Sequence, residues 1–143
     1  MKSLYFVAAL ASPFFLTNCK EAAKTGDTAF AKSTFISLAR GDSDVQAKID
    51  WPTLMALGEN IGAKYVAIES ETEKQNFRNG FVTQFSSSFR DNGGSVDNFT
   101  NWRVTFHDSL RTEVAADSPG GVLKIIVTGR DSVERVSSLD IAK

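Results

Sequence analysis

The chain contains one histidine, His107, and one cysteine, Cys19, and these two residues bound the chemistry open to it. A zinc site needs three or four His, Cys or carboxylate ligands at set spacings, which one imidazole and one distant thiol do not supply. His107 follows Trp102, Val104 and Phe106 in an alternating run, so period two places it on the opposite face, among polar residues. That position describes an exposed strand histidine better than a general base. Glu69, Glu71 and Glu73 gather at a predicted helix start, where negative charge suits the helix dipole. Asp50, Asp108 and Asp140 fall near element ends, where caps and turns employ them. No glycine-rich phosphate loop and no nucleophile elbow occur. Nucleophile, base and orienter do not converge on any segment. No catalytic residue, metal or cofactor is therefore expected, and the chain reads as a binder.

Cys19 has a different chemistry. The N-terminus reads MKSLYFVAALASPFFLTNCK: one lysine, then an apolar run over residues 4–16. That run is too short to span a bilayer, which takes about 20 apolar residues, and it has the proportions of a secretory h-region. It ends in Leu16-Thr17-Asn18-Cys19, which resembles the bacterial lipobox, whose cysteine is acylated and becomes the new N-terminus. Asn18 stands where Gly, Ala or Ser is usual. The expected division is a lipoprotein signal peptide over 1–18, a lipidated tether over 19–27 and one domain over 28–143. More than one acyl chain on Cys19 makes a stable membrane anchor. Lys20 follows the cysteine, and the resemblance implies the outer membrane rather than the inner, which an aspartate there would specify.

The bulk composition fits one globular domain. Of 143 residues, 42% are hydrophobic and 23% charged. Sixteen basic and seventeen acidic residues leave a net charge of −1, which excludes the basic stripe that nucleic-acid binding requires. Eleven phenylalanines stand against two tyrosines and two tryptophans, a bias toward aromatic area without polar handles.

The elements that must position these residues follow from periodicity. Asp27 caps a predicted helix over 28–40 with Ala31, Phe35 and Leu38 on one side, and Gly41 ends it. A short helix over 43–50 carries Val45 and Ile49 inward. Trp51-Pro52 opens another turn or helix, with Leu54, Met55 and Leu57 inward and Gly58 and Gly62 ending it. Residues 64–68 read as a short strand or an extended linker. Ser70 and Glu73 have capping-box spacing and open a long helix over 71–92, terminated by Gly93-Gly94. Period-two runs then predict strands around Trp102–Val104–Phe106, Leu110–Ala116 and Leu123–Val127, with a last strand through Ile141. Val136 is out of parity with Leu139 and Ile141, so a bulge is expected near Ser137-Ser138. Helices followed by an antiparallel meander make an α+β fold.

The long helix carries Phe77, Phe81, Phe85 and Phe89 four residues apart. Each step of four drifts about 40° around a helix of 3.6 residues per turn, so the row is a broad stripe that needs a large partner. A sheet curled around this helix sets the four phenylalanines against Trp102, Val104 and Phe106, either as a dry core or as the walls of an apolar cavity.

The segment IDWPTLMALGENIGAKYVAIESETEKQNFRNGFVTQFSSSF, residues 49–89, is similar to part of the MlaC/toluene-tolerance family of periplasmic phospholipid carriers. The likeness rests on Asp50-Trp51, Gly58 or Gly62, Tyr65, and a capped helix with Gln75, Phe77, Phe81 and Phe85. The wider cystatin/NTF2-like group of small envelope lipoproteins shares the same helix-then-sheet order. The resemblance implies N-terminal helices packed on a C-terminal curved antiparallel sheet, and an apolar ligand or lipid held between the long helix and the sheet. The alternative is an envelope protein partner bound on the exposed sheet face that carries Arg103, Thr105, His107, Arg111 and Glu113.

Overall fold

The computed structural model describes residues 14–130 and 133–143, with the side chains of 14–22 and 130 outside the description. Residues 1–13 of the signal peptide expected over 1–18, and the side chain of Cys19, therefore lie outside the described residues. The fold is α+β, with helices packed against an open, mixed sheet of six strands.

Helix α1 spans Phe14–Arg40. It does not start at Asp27, as the capping signal suggested. The segment Lys20 to Lys24 is built of strong helix formers, and these carry the helix upstream through Gly26. Asp27 thus sits in mid-helix and is buried. With Ala31, Thr34, Phe35 and Leu38 it makes the inward stripe, at the i, i+4, i+7, i+8 and i+11 positions of a core helix. Gly41 then takes φ +77° and closes the helix through its N–H to the Leu38 carbonyl.

Two 3-10 turns, Ser43–Lys48 and Trp51–Thr53, bury Val45 and Trp51. The next segment departs from expectation. Instead of a helix it forms a two-residue hairpin, with β1 at Met55–Ala56 and β2 at Glu59–Asn60. The hairpin turn is Leu57-Gly58, both with positive φ, at 51° and 79°, the signature of a primed turn. Alternation then buries Leu54 and Ala56 and leaves Met55 and Leu57 exposed, so only Leu54 of the expected inward trio is in the core. Residues 61–66, read partly as strand or linker, form the short helix α2, Ile61–Val66, capped by the Asn60 side chain accepting from the Ala63 N–H at 2.9 Å.

Helix α3, Glu71–Asp91, begins as its capping signal predicts, with Ser70 accepting from the Glu73 N–H. It ends where Gly93 adopts φ +73°. Strands β3 (Thr100–His107), β4 (Arg111–Ser118), β5 (Gly121–Arg130) and β6 (Val133–Ala142) form the antiparallel meander. The strand order is β2-β1-β6-β5-β4-β3, and β1 joins β6 in parallel. The sheet is mixed rather than antiparallel throughout because the β1–β2 hairpin adds itself to the β6 edge. Ile126 pairs with Ser138 and Val127 with Val136, so Ser137 is the extra residue of the bulge expected there.

Two features of the packing correct the sequence reading. The helix lying on the sheet is α1, not α3: its buried stripe meets Val114, Ala116, Leu123, Ile125, Val127, Val136 and Leu139. Helix α3 packs beside α1 and the first 3-10 turn. The second correction is in β3. Val104 pairs with Val114 but Phe106 pairs with Glu113, so Thr105 is an extra residue. One inserted residue reverses parity. Phe106 turns to the outer face, 43% exposed and stacked under the Arg111 guanidinium at 5.0 Å. His107 turns inward and meets Thr112.

Candidate functional site

The row of phenylalanines on α3 divides along its length. Phe77 leans on Tyr65 of α2, with ring centroids 6.0 Å apart, and Tyr65 in turn accepts a 2.6 Å hydrogen bond from Arg78. Phe81 meets Trp51 edge-on at 5.5 Å. Phe89 stacks on Phe85 at 6.5 Å and meets Phe35 of α1 edge-on at 5.8 Å. Phe35 also touches Phe99 at 4.7 Å and Trp102 at 6.1 Å. The row therefore reaches Trp102 through Phe35, not directly, and the side chain that bridges them is 2% exposed.

On the other side of the row lies a cleft of about 630 Å³, within the 300–1,000 Å³ range of small-molecule sites. Phe81, Phe85 and Phe89 line one wall, and Phe35 reaches it from α1. The opposite wall is Ala56, Leu57 and Ile61 from the hairpin and α2, with Leu123, Leu139 and Ile141 from the ends of β5 and β6. Gln84, Ser88, Asn92, Ser95 and Asn98 rim the α3 side, and Ser118 and Gly120 of the β4–β5 turn rim the sheet side. Three of the seven residues expected to form a cavity, Phe81, Phe85 and Phe89, line this cleft. Phe77, Trp102, Val104 and Phe106 do not. Trp102 and Val104 pack against the core.

The residues that sequence reasoning missed come from four separate places, the β1–β2 turn, β5, β6 and α1. Leu57 could be found only by recognising Leu57-Gly58 as a hairpin turn. Leu123, Leu139 and Ile141 read as ordinary strand residues, and Phe35 as ordinary helix core. Behind the Phe81 and Phe85 rings lies a second void of about 10 Å³, room for one water at most. Its lining includes Thr34, whose buried hydroxyl has no partner among the described residues.

At the far end of the sheet a polar chain links α1 to the strands. Thr112 is 2% exposed and donates from Oγ1 to Asp27 Oδ2 at 2.5 Å. Its oxygen therefore accepts from His107, whose Nδ1 stands 2.7 Å away and carries the proton. Glu134 on β6 meets the same aspartate. Its hydrogen bond to Asp27, then burial and the neighbouring negative charge, push the Glu134 carboxyl up to about 7. These groups lie apart from the cleft and share none of its lining residues.

The outer sheet face pairs its own charges. Arg103 meets Asp117 at 3.0 Å and Lys124 meets Glu113 at 3.7 Å. Thr105 donates to Glu113 Oε1 at 2.7 Å. Of the five residues expected to present a binding face, His107 is turned inward by the β3 bulge. Among the described residues no cluster of His, Cys, Asp and Glu is arranged for a metal, and no helix is long and apolar enough to cross a membrane.

No family model, curated protein or solved structure matches the chain.

Proposed function

We propose that this domain is a non-catalytic carrier or sensor of a lipid-like ligand, held in the envelope by an acylated Cys19, with a fold of cystatin/NTF2-like type. The observation that carries the reading is the cleft of about 630 Å³ whose wall is the Phe81–Phe85–Phe89 run of α3. Here α1 occupies the sheet, and α3 keeps three aromatic rings along a concave surface. Large apolar area left in a concavity and rimmed by amides and hydroxyls marks a ligand site.

The test uses a neutral fluorescent probe, N-phenyl-1-naphthylamine, with the purified domain. Uptake with enhanced emission is expected, weakened at least ten-fold by Phe85→Gln in a variant whose circular dichroism is unchanged. Protein that takes up no probe and carries no lipid in native mass spectrometry sinks the reading.

A further inference from the structure

The rim of the cleft determines which end group the ligand carries. Among the described residues that line it there is no lysine, arginine or histidine, and the one ionisable side chain is Glu59. Lys64 is engaged with that carboxylate at 2.7 Å. Hydrogen bonding from Lys64, then its charge, hold the Glu59 carboxyl below its usual range, so the group stays anionic at neutral pH. The rest of the rim is neutral: Gln84, Ser88, Asn92, Ser95, Asn98 and Ser118.

Helix polarity adds to this. Asn92, Gly93 and Gly94 follow the C-terminus of the 21-residue α3 and line the same rim. A helix C-terminus carries about half a negative charge, so it disfavours an anion and tolerates a neutral or donor group. A carboxylate or phosphate seated here leaves water and finds no cation among the described lining residues in return. A hydroxyl or amide finds donors and acceptors on Gln84, Ser88, Ser95 and Asn98.

We infer that the cleft selects lipids with an uncharged, hydroxyl- or amide-bearing head and rejects those with a carboxylate or phosphate. This rests on the reading of the cleft as a lipid site. The probes are a monoacylglycerol, the fatty acid of the same chain length, and the corresponding lysophosphatidic acid. Each displaces N-phenyl-1-naphthylamine from the intact domain at pH 8, below its micelle concentration. The monoacylglycerol is expected to compete at least ten-fold better than either anionic lipid. Gln84→Lys, which places a cation on the exposed rim, is expected to narrow that ratio several-fold.

Anionic lipids that compete as well as or better than the monoacylglycerol overturn the head-group inference and leave the cleft reading intact. A ratio unmoved by Gln84→Lys also overturns it. Absence of probe binding and of competition by any lipid overturns both.

Discussion

The contact between Asp27 and Glu134 makes a specific demand on how stability varies with pH. Glu134 has its carboxyl raised from an ordinary 4.5 to about 7, first by its hydrogen bond to Asp27 and then by burial. Below pH 4.5 it is protonated in the folded and unfolded chains alike, and the shared proton contributes in full. Between 4.5 and 7 the unfolded chain releases the proton while the folded chain retains it, so stability falls as pH rises. Above 7 both forms are ionised and two carboxylates face each other. Full linkage of such a shift corresponds to about 3 kcal/mol. The Glu134 side chain is exposed, and solvent screening reduces this to about 1–2 kcal/mol.

Glu134→Gln keeps the hydrogen bond and removes the titration. At pH 8 it is expected to be more stable than the parent by that amount, or about 4–8 °C in Tm, and equal to it at pH 4.5. Urea unfolding at half-unit pH steps measures the effect. Glu59, Asp108 and Asp117 all have lowered carboxyls, so their contributions are lost only as pH falls through the acid range, outside this window. A parent whose stability is flat or rises from pH 4.5 to 7, or a glutamine variant less stable at pH 8, refutes the reasoning.

Leu57 sits at φ 51° in the hairpin turn with its side chain 55% exposed at the cleft. A leucine in the left-handed region costs about 1–2 kcal/mol, and Asn-Gly is the favoured pair for such a turn. Leu57→Asn is therefore expected to raise stability by about 1 kcal/mol in thermal unfolding while weakening probe uptake by several-fold; a variant both less stable and equally active in binding contradicts the assignment of the turn and of the cleft wall. Cys19→Ala is expected to move the protein from the membrane to the soluble fraction of cells. Unchanged fractionation refutes the acylated anchor.

The elements that were legible in the sequence are those governed by local signals. Ser70 and Glu73 announced α3 because a capping box acts within one turn. The four strands of the meander were legible because period two is a local pattern, and even the Ser137 bulge showed as a break in parity. Asp27 misled for the same reason. It has the residue type of a cap, but its carboxylate is taken up 85 positions away by Thr112, a contact that no local rule contains. Once that bond exists, the helix has no reason to begin at Asp27, and the upstream helix formers continue it. The Thr105 bulge left no sequence trace, since Thr fits either side of a strand. Its effect on Phe106 and His107 was therefore invisible.

The cleft was half legible for a related reason. Spacing by four places Phe81, Phe85 and Phe89 on a common stripe but is silent about which surface the stripe meets. That surface depends on which helix wins the sheet. Helix α1 wins because Ala31 and Phe35 alternate a small and a large residue, which lets it sit close to Val114 and Ala116. Helix α3 turns Val82 and Ser86 fully inward and carries its four phenylalanines half-buried beside them, a bulkier face than that of α1. It packs beside α1 instead, and Leu123, Leu139 and Ile141 of β5 and β6 complete the opposite wall of the cleft. On this account the cleft is a consequence of aromatic bulk. The row that reads as core in sequence is only half-buried along α3, and the cleft beside it is the space in which we propose that a ligand binds.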